Sequence, residues 1–354
     1  MSQKEYKAYF QKQNFLFKQP SGTSRGILTE KHAWFIILSS INQPVDVTRY
    51  SSLDPHYSSL GECSIIPGLS PDFTDFDSYE QKLKEVCENI NHYIQNLHEL
   101  EVFPSILFGI ETALLGLKNK IKLFDTPFSR GEVGMPINGL IWMGSKEFML
   151  QQIEDKLNAG FSCLKMKIGA IDFETELEVL SSIRKRYSSN EIELRVDANG
   201  AFSPLEAIQK LEKLSKFDLH SIEQPIKAGQ WEEMTRLCAQ TPLPIALDEE
   251  LIGIIGFENK KRLLEIINPQ YIILKPSLHG GLLGSREWIH LANEKTIPWW
   301  ITSALESNVG LNCIAQFAST FDNSLPQGLG TGGLYENNMP TSLFIEKGCI
   351  YLKG

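Results

Sequence analysis

Cysteine is scarce in this chain, and the cysteines that occur are not paired. Among 354 residues they stand singly, without a C-x-x-C or any similar spacing: Cys63, Cys87, Cys163, Cys238, Cys313 and Cys349. This pattern excludes a disulfide framework and a cysteine-based zinc site. Scattered thiols of this kind are typical of a reducing compartment, so we expect a cytoplasmic protein.

Long apolar runs are absent as well. No segment approaches the roughly 20 apolar residues that a bilayer-spanning helix needs. The first ten residues, MSQKEYKAYF, also lack the apolar stretch of a secretory signal. The sequence therefore predicts neither a membrane span nor an exported protein.

Positive charge is in deficit, with 34 Lys and Arg against 43 Asp and Glu and a formal net charge of -9. No basic run exceeds three residues, so the sequence shows no footprint for nucleic acid or for an anionic membrane surface. A small-molecule partner is the class that remains. The chain is long enough for a large barrel or for two domains.

From residue 137 onward, short apolar runs alternate with segments of helical period. In the segment 173–187, Phe173, Leu177, Leu180 and Ile183 fall on one helix face. A capping box with proline at the first helical position opens another helix at Ser203. Further helical stretches are 145–159, 229–240, 256–267, 281–294 and 308–319. The candidate strands are 137–142, 163–167, 193–197, 219–223, 245–248, 271–275, 298–302 and 326–330. Eight such units predict a parallel α/β barrel.

The first 130 residues follow a different pattern, typical of a separate α+β domain. A strand is predicted at 34–38 and an amphipathic helix at 78–97, opened by a capping box of Ser78 and Gln81. The stretches 19–26 and 49–61 are rich in Ser, Gly, Pro and Asp and have no period, so we predict loops there.

Five consecutive candidate strands end in a reactive side chain, at the end where barrel enzymes carry their active sites. The ends are 25 to 30 residues apart, one strand-helix unit each, and in strand order they are Lys167, Asp197, Glu223, Asp248 and Lys275. Three adjacent carboxylates would repel one another without a cation among them. Ligation by oxygen alone suits Mg²⁺, for which Mn²⁺ could substitute, better than zinc or copper.

A metal at this position can bind a substrate carboxylate and stabilise the negative charge that forms when the neighbouring C–H loses its proton. Lys165 and Lys167 are two residues apart in a strand, so both point into the barrel. Burial and a neighbouring ammonium group each disfavour the charged form of an amine, which suits a general base. Lys167 is nearer the rim and is the better candidate. Lys275 would face it across the substrate.

Each of these residues also has a purely structural interpretation. Any one of the acids could be a helix cap or an ion-pair partner, and Lys165 could be an inward lysine paired with a carboxylate. Glu249 could support a metal ligand or form a salt bridge within the barrel. The joint pattern of five reactive ends in strand order favours the metal site.

These residues resemble motifs of the enolase superfamily, in particular its muconate lactonizing enzyme-like subgroup. The matching pieces are Lys165-Met166-Lys167, Arg195-Val196-Asp197-Ala198-Asn199-Gly200, Ile222-Glu223-Gln224-Pro225, Asp248-Glu249 and Leu274-Lys275-Pro276. The resemblance covers nearly the whole chain. It implies a TIM-type (β/α) barrel at 131–333, an N-terminal α+β capping domain at 1–130 with specificity loops, and a C-terminal segment, 334–354, that packs back on the capping domain.

The same resemblance implies a role for each rim residue. Asp197, Glu223 and Asp248 would bind Mg²⁺, Lys167 would be the acid/base, and Lys275 its cationic partner. We expect Lys165, Arg195, Asn199 and Glu249 to support these groups or to contact the substrate.

Weaker motifs resemble the o-succinylbenzoate synthases of this superfamily. They are Ser24-Arg25-Gly26, Ser303-Ala304-Leu305-Glu306-Ser307, Gly328-Leu329-Gly330-Thr331-Gly332 and the stretch 137–144. Such enzymes dehydrate a hydroxy-succinyl-cyclohexadiene carboxylate to 2-succinylbenzoate through an enolate, in menaquinone biosynthesis. Lys167 would serve first as base and then as acid, and Arg25, Ser303 and Gly330 are the candidate substrate contacts.

Sister families differ at two positions. Dipeptide epimerases carry Asp-x-Asp where this chain has Gly328-Leu329-Gly330, and mandelate racemase-like members carry a histidine after the seventh strand, where Thr302-Ser303-Ala304 has none. An N-succinylamino acid racemase uses the same lysines and metal and stays open. A non-catalytic binding protein on the same fold stays open as well, and the sequence does not fix the oligomeric state.

Overall fold

A computed structural model describes residues 5–23, 26–40, 58–169 and 171–353. The N-terminal part is an antiparallel sheet of order β1-β2-β3, covered by helices. Its elements are β1 (Tyr6–Thr23), β2 (Gly26–Ser40), β3 (Ser58–Ser64), α1 (Phe76–Glu88), α2 (Ile90–Gln95), a 3-10 turn (Leu97–Leu100) and α3 (Pro104–Asn119). Trp34, Ile36 and Leu38 pack in one cluster with Leu83 and Ile110. The strand predicted at 34–38 is thus confirmed within β2.

The loop predicted at 19–26 is mostly wrong. β1 and β2 stay paired to the end of the hairpin, with Ser21 opposite Leu28 and Thr23 opposite Gly26, after a shift of register. Ser21 keeps its strand pairing although it is a small polar residue, and its side chain is buried. In the second predicted loop, residues 58–61 belong to β3. Residues 24–25 and 49–57 lie outside the described part of the chain.

The helix predicted at 78–97 begins earlier and is interrupted. Asp75 is the N-cap of α1, because its side chain accepts a hydrogen bond from the Ser78 amide at 2.8 Å. The predicted capping box of Ser78 and Gln81 is therefore wrong. The helix stops at Asn89, whose side-chain amide donates to the carbonyl of Glu85 at 2.9 Å, and α2 follows directly.

The barrel has a parallel sheet in which neighbouring strands follow chain order from β5 to β11. The strands are β4 (Met135–Pro136), β5 (Gly139–Ile141), β6 (Cys163–Lys167), β7 (Glu193–Asp197), β8 (Ser221–Glu223), β9 (Ile245–Leu247), β10 (Tyr271–Leu274) and β11 (Trp299–Ile301). The helices are α4 (Lys146–Asn158), α5 (Phe173–Arg184), α6 (Pro204–Leu214), α7 (Trp231–Gln240), α8 (Phe257–Ile267), α9 (Gly281–Glu294) and α10 (Asn308–Ala318), with 3-10 turns at Ser215–Phe217 and Glu249–Leu251. The capping box at Ser203 is confirmed.

The eighth barrel strand, predicted at 326–330, is not a regular strand. Two isolated parallel bridges take its place and close the barrel, joining Ile137 with Gln327 and Thr302 with Gly328. One reason is local chemistry. Pro326 has no N–H to donate, and the Ile301 amide bonds the side-chain oxygen of Gln327 at 2.8 Å instead of a backbone carbonyl.

The C-terminal residues make two different contacts. Tyr335 pairs with Phe17 of β1 and packs against Phe15. Farther along, β12 (Leu343–Glu346) and β13 (Cys349–Leu352) form a hairpin that pairs with β4 at the start of the barrel. The domain boundaries at residues 130 and 333 stay predictions.

In the part of the chain that the structure describes, no helix is long and apolar enough to span a membrane.

Candidate active site

The five rim residues lie together at the carboxyl ends of the central strands. Lys167, Asp197 and Glu223 end β6, β7 and β8 and are neighbours in register. Asp248 and Lys275 directly follow β9 and β10. The three carboxylates are almost completely buried, with at most 2% of their surface exposed. The register of the parallel strands places their last residues side by side, and this brings together residues that are far apart in the chain.

Ammonium groups link the carboxylates. Lys165 Nζ lies 2.8 Å from Glu223 Oε2 and 3.1 Å from Asp197 Oδ2. Lys167 Nζ lies 2.6 Å from the same Asp197 oxygen, and Lys275 contacts Asp248. Asp197, Glu223 and Asp248 therefore share one charged environment, as the sequence pattern requires.

The carboxylates have divergent pKa values. Burial acts to raise the pKa of Asp197, but Lys167 and Lys165 outweigh it and hold that pKa well below its usual range. Burial also acts to raise the pKa of Asp248, but Lys275 outweighs it and lowers that pKa. At Glu223, burial and the neighbouring charge of Asp197 raise the pKa well above its ordinary value. Glu223 is therefore the carboxylate whose ionised form a further cation would stabilise most.

The expectation that the pKa of the inward-pointing amines is lowered is wrong at Lys165. Burial does act to lower its pKa, but Glu223 and Asp197 more than compensate and raise it. The same balance raises the pKa of Lys275, because burial is outweighed by Asp248 and Glu223. Both side chains are therefore cations in this arrangement. This favours a charge-balancing role for Lys165.

The residues fit Mg²⁺ by their donor chemistry. Within the described ranges, no three His, Cys, Asp or Glu side chains are arranged to hold a metal ion as they stand. However, Glu223 Oε1 and Asp248 Oδ1 are buried and have no hydrogen-bond partner among the described residues. Buried carboxylate oxygens of this kind are costly unless a cation or donor meets them. Oxygen ligands are those that Mg²⁺ prefers.

The loops after β7 and β8 carry supporting groups. Asn199 Oδ1 accepts a hydrogen bond from Lys167 at 2.7 Å, and its Nδ2 donates to Glu249 Oε1 at 2.9 Å. The Gln224 side-chain oxygen accepts from the backbone amides of Asp248 and Glu250, both at 3.2 Å. Asn199 and Gln224 have positive φ angles of 44° and 41°. Such conformations are uncommon outside glycine and cluster at functional sites.

A cavity lies above the carboxylates, between the barrel and the N-terminal sheet. Lys165, Lys167 and Lys275 line its floor. The hairpin of β1 and β2 contributes Gly26, Ile27 and Leu28, and the chain after β3 contributes Ile66, Pro67 and Leu69. Leu140 and Trp142 add apolar surface on the barrel side. The cavity therefore joins charged reacting groups to an apolar wall.

Some of the predicted contacts reach this cavity and others do not. Ser303 and Gly330 line it, and Ser303 shares a hydrogen bond of 2.6 Å with Thr331. Arg195 is not brought to it. Its guanidinium is buried deeper in the barrel, where Nε donates to Glu193 at 2.7 Å and Cζ lies 4.2 Å from the centroid of the Trp300 ring. Arg25 lies outside the described residues.

Sequence reasoning missed two polar groups near the site. The Lys275 amide donates to His279 Nδ1 at 2.9 Å, which fixes the backbone beside the lysine. Asn138 lines the cavity and is buried, and its Oδ1 has no partner in the described chain. The spacing of four residues after Lys275 was the available signal for His279. For Asn138, the available signal was its place in the first predicted barrel strand, 137–142.

Comparison with known proteins supports a common origin. Residues 149–353 match the family described as enolase C-terminal domain-like. An o-succinylbenzoate synthase of Desulfotalea psychrophila is 44% identical over 96% of this chain and 97% of its own length. A crystal structure of MenC from that organism superposes with a TM-score of 0.83 at 41% identity, covering 98% and 99% of the two chains. The muconate lactonizing enzyme of Pseudomonas fluorescens shares the fold, with a TM-score of 0.77 at 18% identity over 98% and 93% of the chains.

Proposed function

Because this chain belongs to the o-succinylbenzoate synthases of the enolase superfamily, which are carbon-oxygen hydro-lyases, we propose that Lys167, Lys275 and an Mg²⁺ site carry out its dehydration. The substrate would be a hydroxy-succinyl-cyclohexadiene carboxylate and the product 2-succinylbenzoate. One observation carries the proposal. Amines from β6 and from the end of β10 line one cavity, directly above three buried carboxylates.

Lys167 would act on the substrate proton. In its neutral form, its Nζ removes the proton from the carbon next to the ring carboxylate. The ammonium that results then gives a proton to the departing hydroxyl as the C–O bond breaks, so that water leaves and the ring becomes aromatic. Asn199 and Asp197 hold Nζ between them at 2.7 and 2.6 Å. They would thereby orient the amine for both steps.

Lys275 would stay a cation throughout. Its contact with Asp248 and the hydrogen bond from its backbone to His279 hold it just after β10, and we propose that it faces Lys167 across the substrate. A fixed ammonium there stabilises negative charge that develops on the substrate during proton loss. Asp197, Glu223 and Asp248 would hold Mg²⁺, which when bound supplies further positive charge for the enolate carboxylate.

The cavity suits a compact dicarboxylate with a carbocyclic ring. Leu140, Trp142 and Ile27 offer apolar surface for the ring, and Ser303 and Thr331 offer hydroxyl groups for a polar arm. We extend the proposal to Arg25 as a further contact, to a role in menaquinone biosynthesis and to a cytoplasmic setting. The six cysteines, all free thiols, support that setting.

The direct test is an assay with purified protein, Mg²⁺ and the cyclohexadiene substrate, in which turnover is measured as the loss of diene absorbance. We expect turnover that stops when the metal is chelated and returns with Mg²⁺ or Mn²⁺. N-succinyl amino acids serve as the comparison substrate. Fast racemisation of these without any dehydration would contradict the proposal and favour a racemase.

A further inference from the structure

Two carboxylates of the N-terminal domain reach across to the barrel and cap barrel helices. Glu111 of α3 accepts hydrogen bonds from the first amides of α9, with Oε2 2.6 Å from Leu282 N and Oε1 3.0 Å from Leu283 N. The residue at the local N-cap position of α9 is Gly280, which has no side chain to offer. The carboxylate thus supplies from another domain what the helix lacks.

Glu62 of β3 does the same at α10. Its Oε1 accepts from the Ser307 amide at 2.8 Å, and its Oε2 accepts from the Ser307 hydroxyl at 2.6 Å and from the Gly310 amide at 2.8 Å. The side chain is completely buried. α10 also has a local cap, because the Ser307 hydroxyl accepts from the Val309 amide at 3.2 Å, and Glu62 adds acceptors for the Ser307 and Gly310 amides. In α4 and α5, by contrast, the side-chain caps are their own residues Ser145 and Asp172.

Glycines in both helices leave room for these carboxylates. A Cβ atom at Gly281 would lie 2.2 Å from Glu111 Oε2, and one at Gly310 would lie 3.0 Å from Glu62 Oε2. Gly281 also has a positive φ of 70°. The close approach of the two domains therefore depends on residues of both, the carboxylates of the N-terminal domain and the glycines of the barrel helices.

The capped helices follow the loops that form the active site. α9 begins six residues after Lys275, and α10 begins directly after the loop 303–307, which lines the cavity. Glu306 joins the two loops, because its Oε2 accepts from the Ala304 amide at 2.7 Å and its Oε1 from the Ser277 hydroxyl at 2.5 Å. Lys31 of β2 donates to the Ala304 carbonyl. One network thus runs from the N-terminal sheet to the loop of Lys275.

Resting on the function proposed above, we propose that Glu62 and Glu111 are positioning residues for the reaction. By capping α10 and α9 from the N-terminal domain, they fix the loops that carry Ser303 and Lys275. Neither carboxylate touches the reacting groups. Their effect is to hold Lys275 at the geometry that stabilises the developing charge, where a shift of about 1 Å can cost up to about 100-fold in rate.

The test compares Glu111→Gln and Glu62→Gln with the wild type, using the full chain with Mg²⁺. Gln keeps the shape but replaces one acceptor oxygen with a donor. We expect each variant to lower kcat about tenfold while KM changes less than about threefold, the pattern of a lost transition-state interaction. Asp75→Ala, which removes the N-cap of α1 within the N-terminal domain, is the matched control and should keep the wild-type kcat.

Hydrogen-deuterium exchange gives a second readout that does not depend on turnover. Glu111→Gln should speed exchange at residues 281–283 and also at 275–279, and Glu62→Gln should do so at 303–310. Should Glu62→Gln fail to fold, Gly310→Ala keeps the buried charge and places a Cβ 3.0 Å from Glu62 Oε2, which disturbs the same cap.

The outcomes are distinct. Wild-type kcat in both variants, with only the thermal midpoint lowered as in Asp75→Ala, would overturn the inference, and so would unchanged exchange at 275–279 and 303–307. If the wild-type protein dehydrates nothing, the proposed function fails, and the exchange data alone decide whether the carboxylates position these loops.

Discussion

Lys167 and Asp197 are register partners at the last positions of adjacent strands, and their side chains meet with Nζ 2.6 Å from Oδ2. The same oxygen lies 3.1 Å from Lys165. The proposed base and a proposed metal ligand thus contact each other directly. Any change in the charge around Asp197 is therefore felt by the amine that would move the proton.

Replacing this amine tests its role. Lys167→Ala should lower kcat by about 100- to 10,000-fold, the usual contribution of a general acid-base. The fold should persist, because Asp197 keeps Lys165 as an ion-pair partner at 3.1 Å. Steady-state kinetics and circular dichroism provide the measurements. Lys210→Ala, at a partly exposed ion pair with Glu206, is the control. Near-normal turnover by Lys167→Ala would exclude Lys167 as the acid/base, whereas absence of turnover in the wild type would point to a non-catalytic binding protein.

Metal binding can be tested without turnover. Mg²⁺ that binds only the folded protein should raise the thermal midpoint, by mass action. Glu223→Gln should abolish most of that increase, because it removes a ligand charge from a side chain that is only 2% exposed. The exposed Glu178→Gln should keep the full Mg²⁺ response. An equal midpoint increase in Glu223→Gln and in the wild type would exclude Glu223 as a ligand.

The rim could be predicted from sequence because it repeats with the strand-helix unit. Each of Lys167, Asp197 and Glu223 stands at the end of an apolar run, and parallel pairing fixes the rest. The charge state of Lys165 could not be predicted in this way, because it depends on two distances of about 3 Å to other strands. The contact of Glu62 with Ser307 joins residues 245 positions apart and leaves no local pattern at either end.

Irregular elements were hardest to predict for a similar reason. Pairing at the end of the β1–β2 hairpin depends on the partner strand, whereas Ser and Gly by themselves indicate a loop. At the eighth barrel position, the side chain of Gln327 substitutes for a backbone carbonyl. Period and composition carry no information about such a replacement.

The uncharged eighth position should matter for substrate choice. Gly330 lines the cavity, and the nearest atom to an added Cβ, the Asn138 carbonyl oxygen, would lie 3.3 Å away. Gly330→Asp would add a negative charge beside a doubly charged dicarboxylate, whereas Gly330→Asn adds nearly the same volume without charge. We expect KM in the Asp variant to exceed that in the Asn variant at least tenfold, about 1.4 kcal/mol. Equal KM values would show that the substrate carboxylates lie far from this loop.

Lys31 should make stability depend on pH. Burial lowers its pKa to about 8 from 10.5, against the opposing charges of Glu306 and Glu62. Between these two values the unfolded chain binds more protons than the folded chain, so the free energy of unfolding rises with pH. The penalty of burying the ammonium is complete below pH 8 and disappears as the pH rises toward 10.5.

Lys31→Met removes this titration and keeps the length of the side chain. From pH 7 to pH 10, the stability of the wild type relative to the variant should therefore increase by about 2.5 kcal/mol, given 1.36 kcal/mol for each pKa unit. Urea unfolding of both proteins at the two pH values measures it, and the other lysines and tyrosines cancel in the difference. A difference that stays constant with pH would mean that Lys31 keeps an ordinary pKa, and that its contact with the Ala304 carbonyl is made at no cost in charge burial.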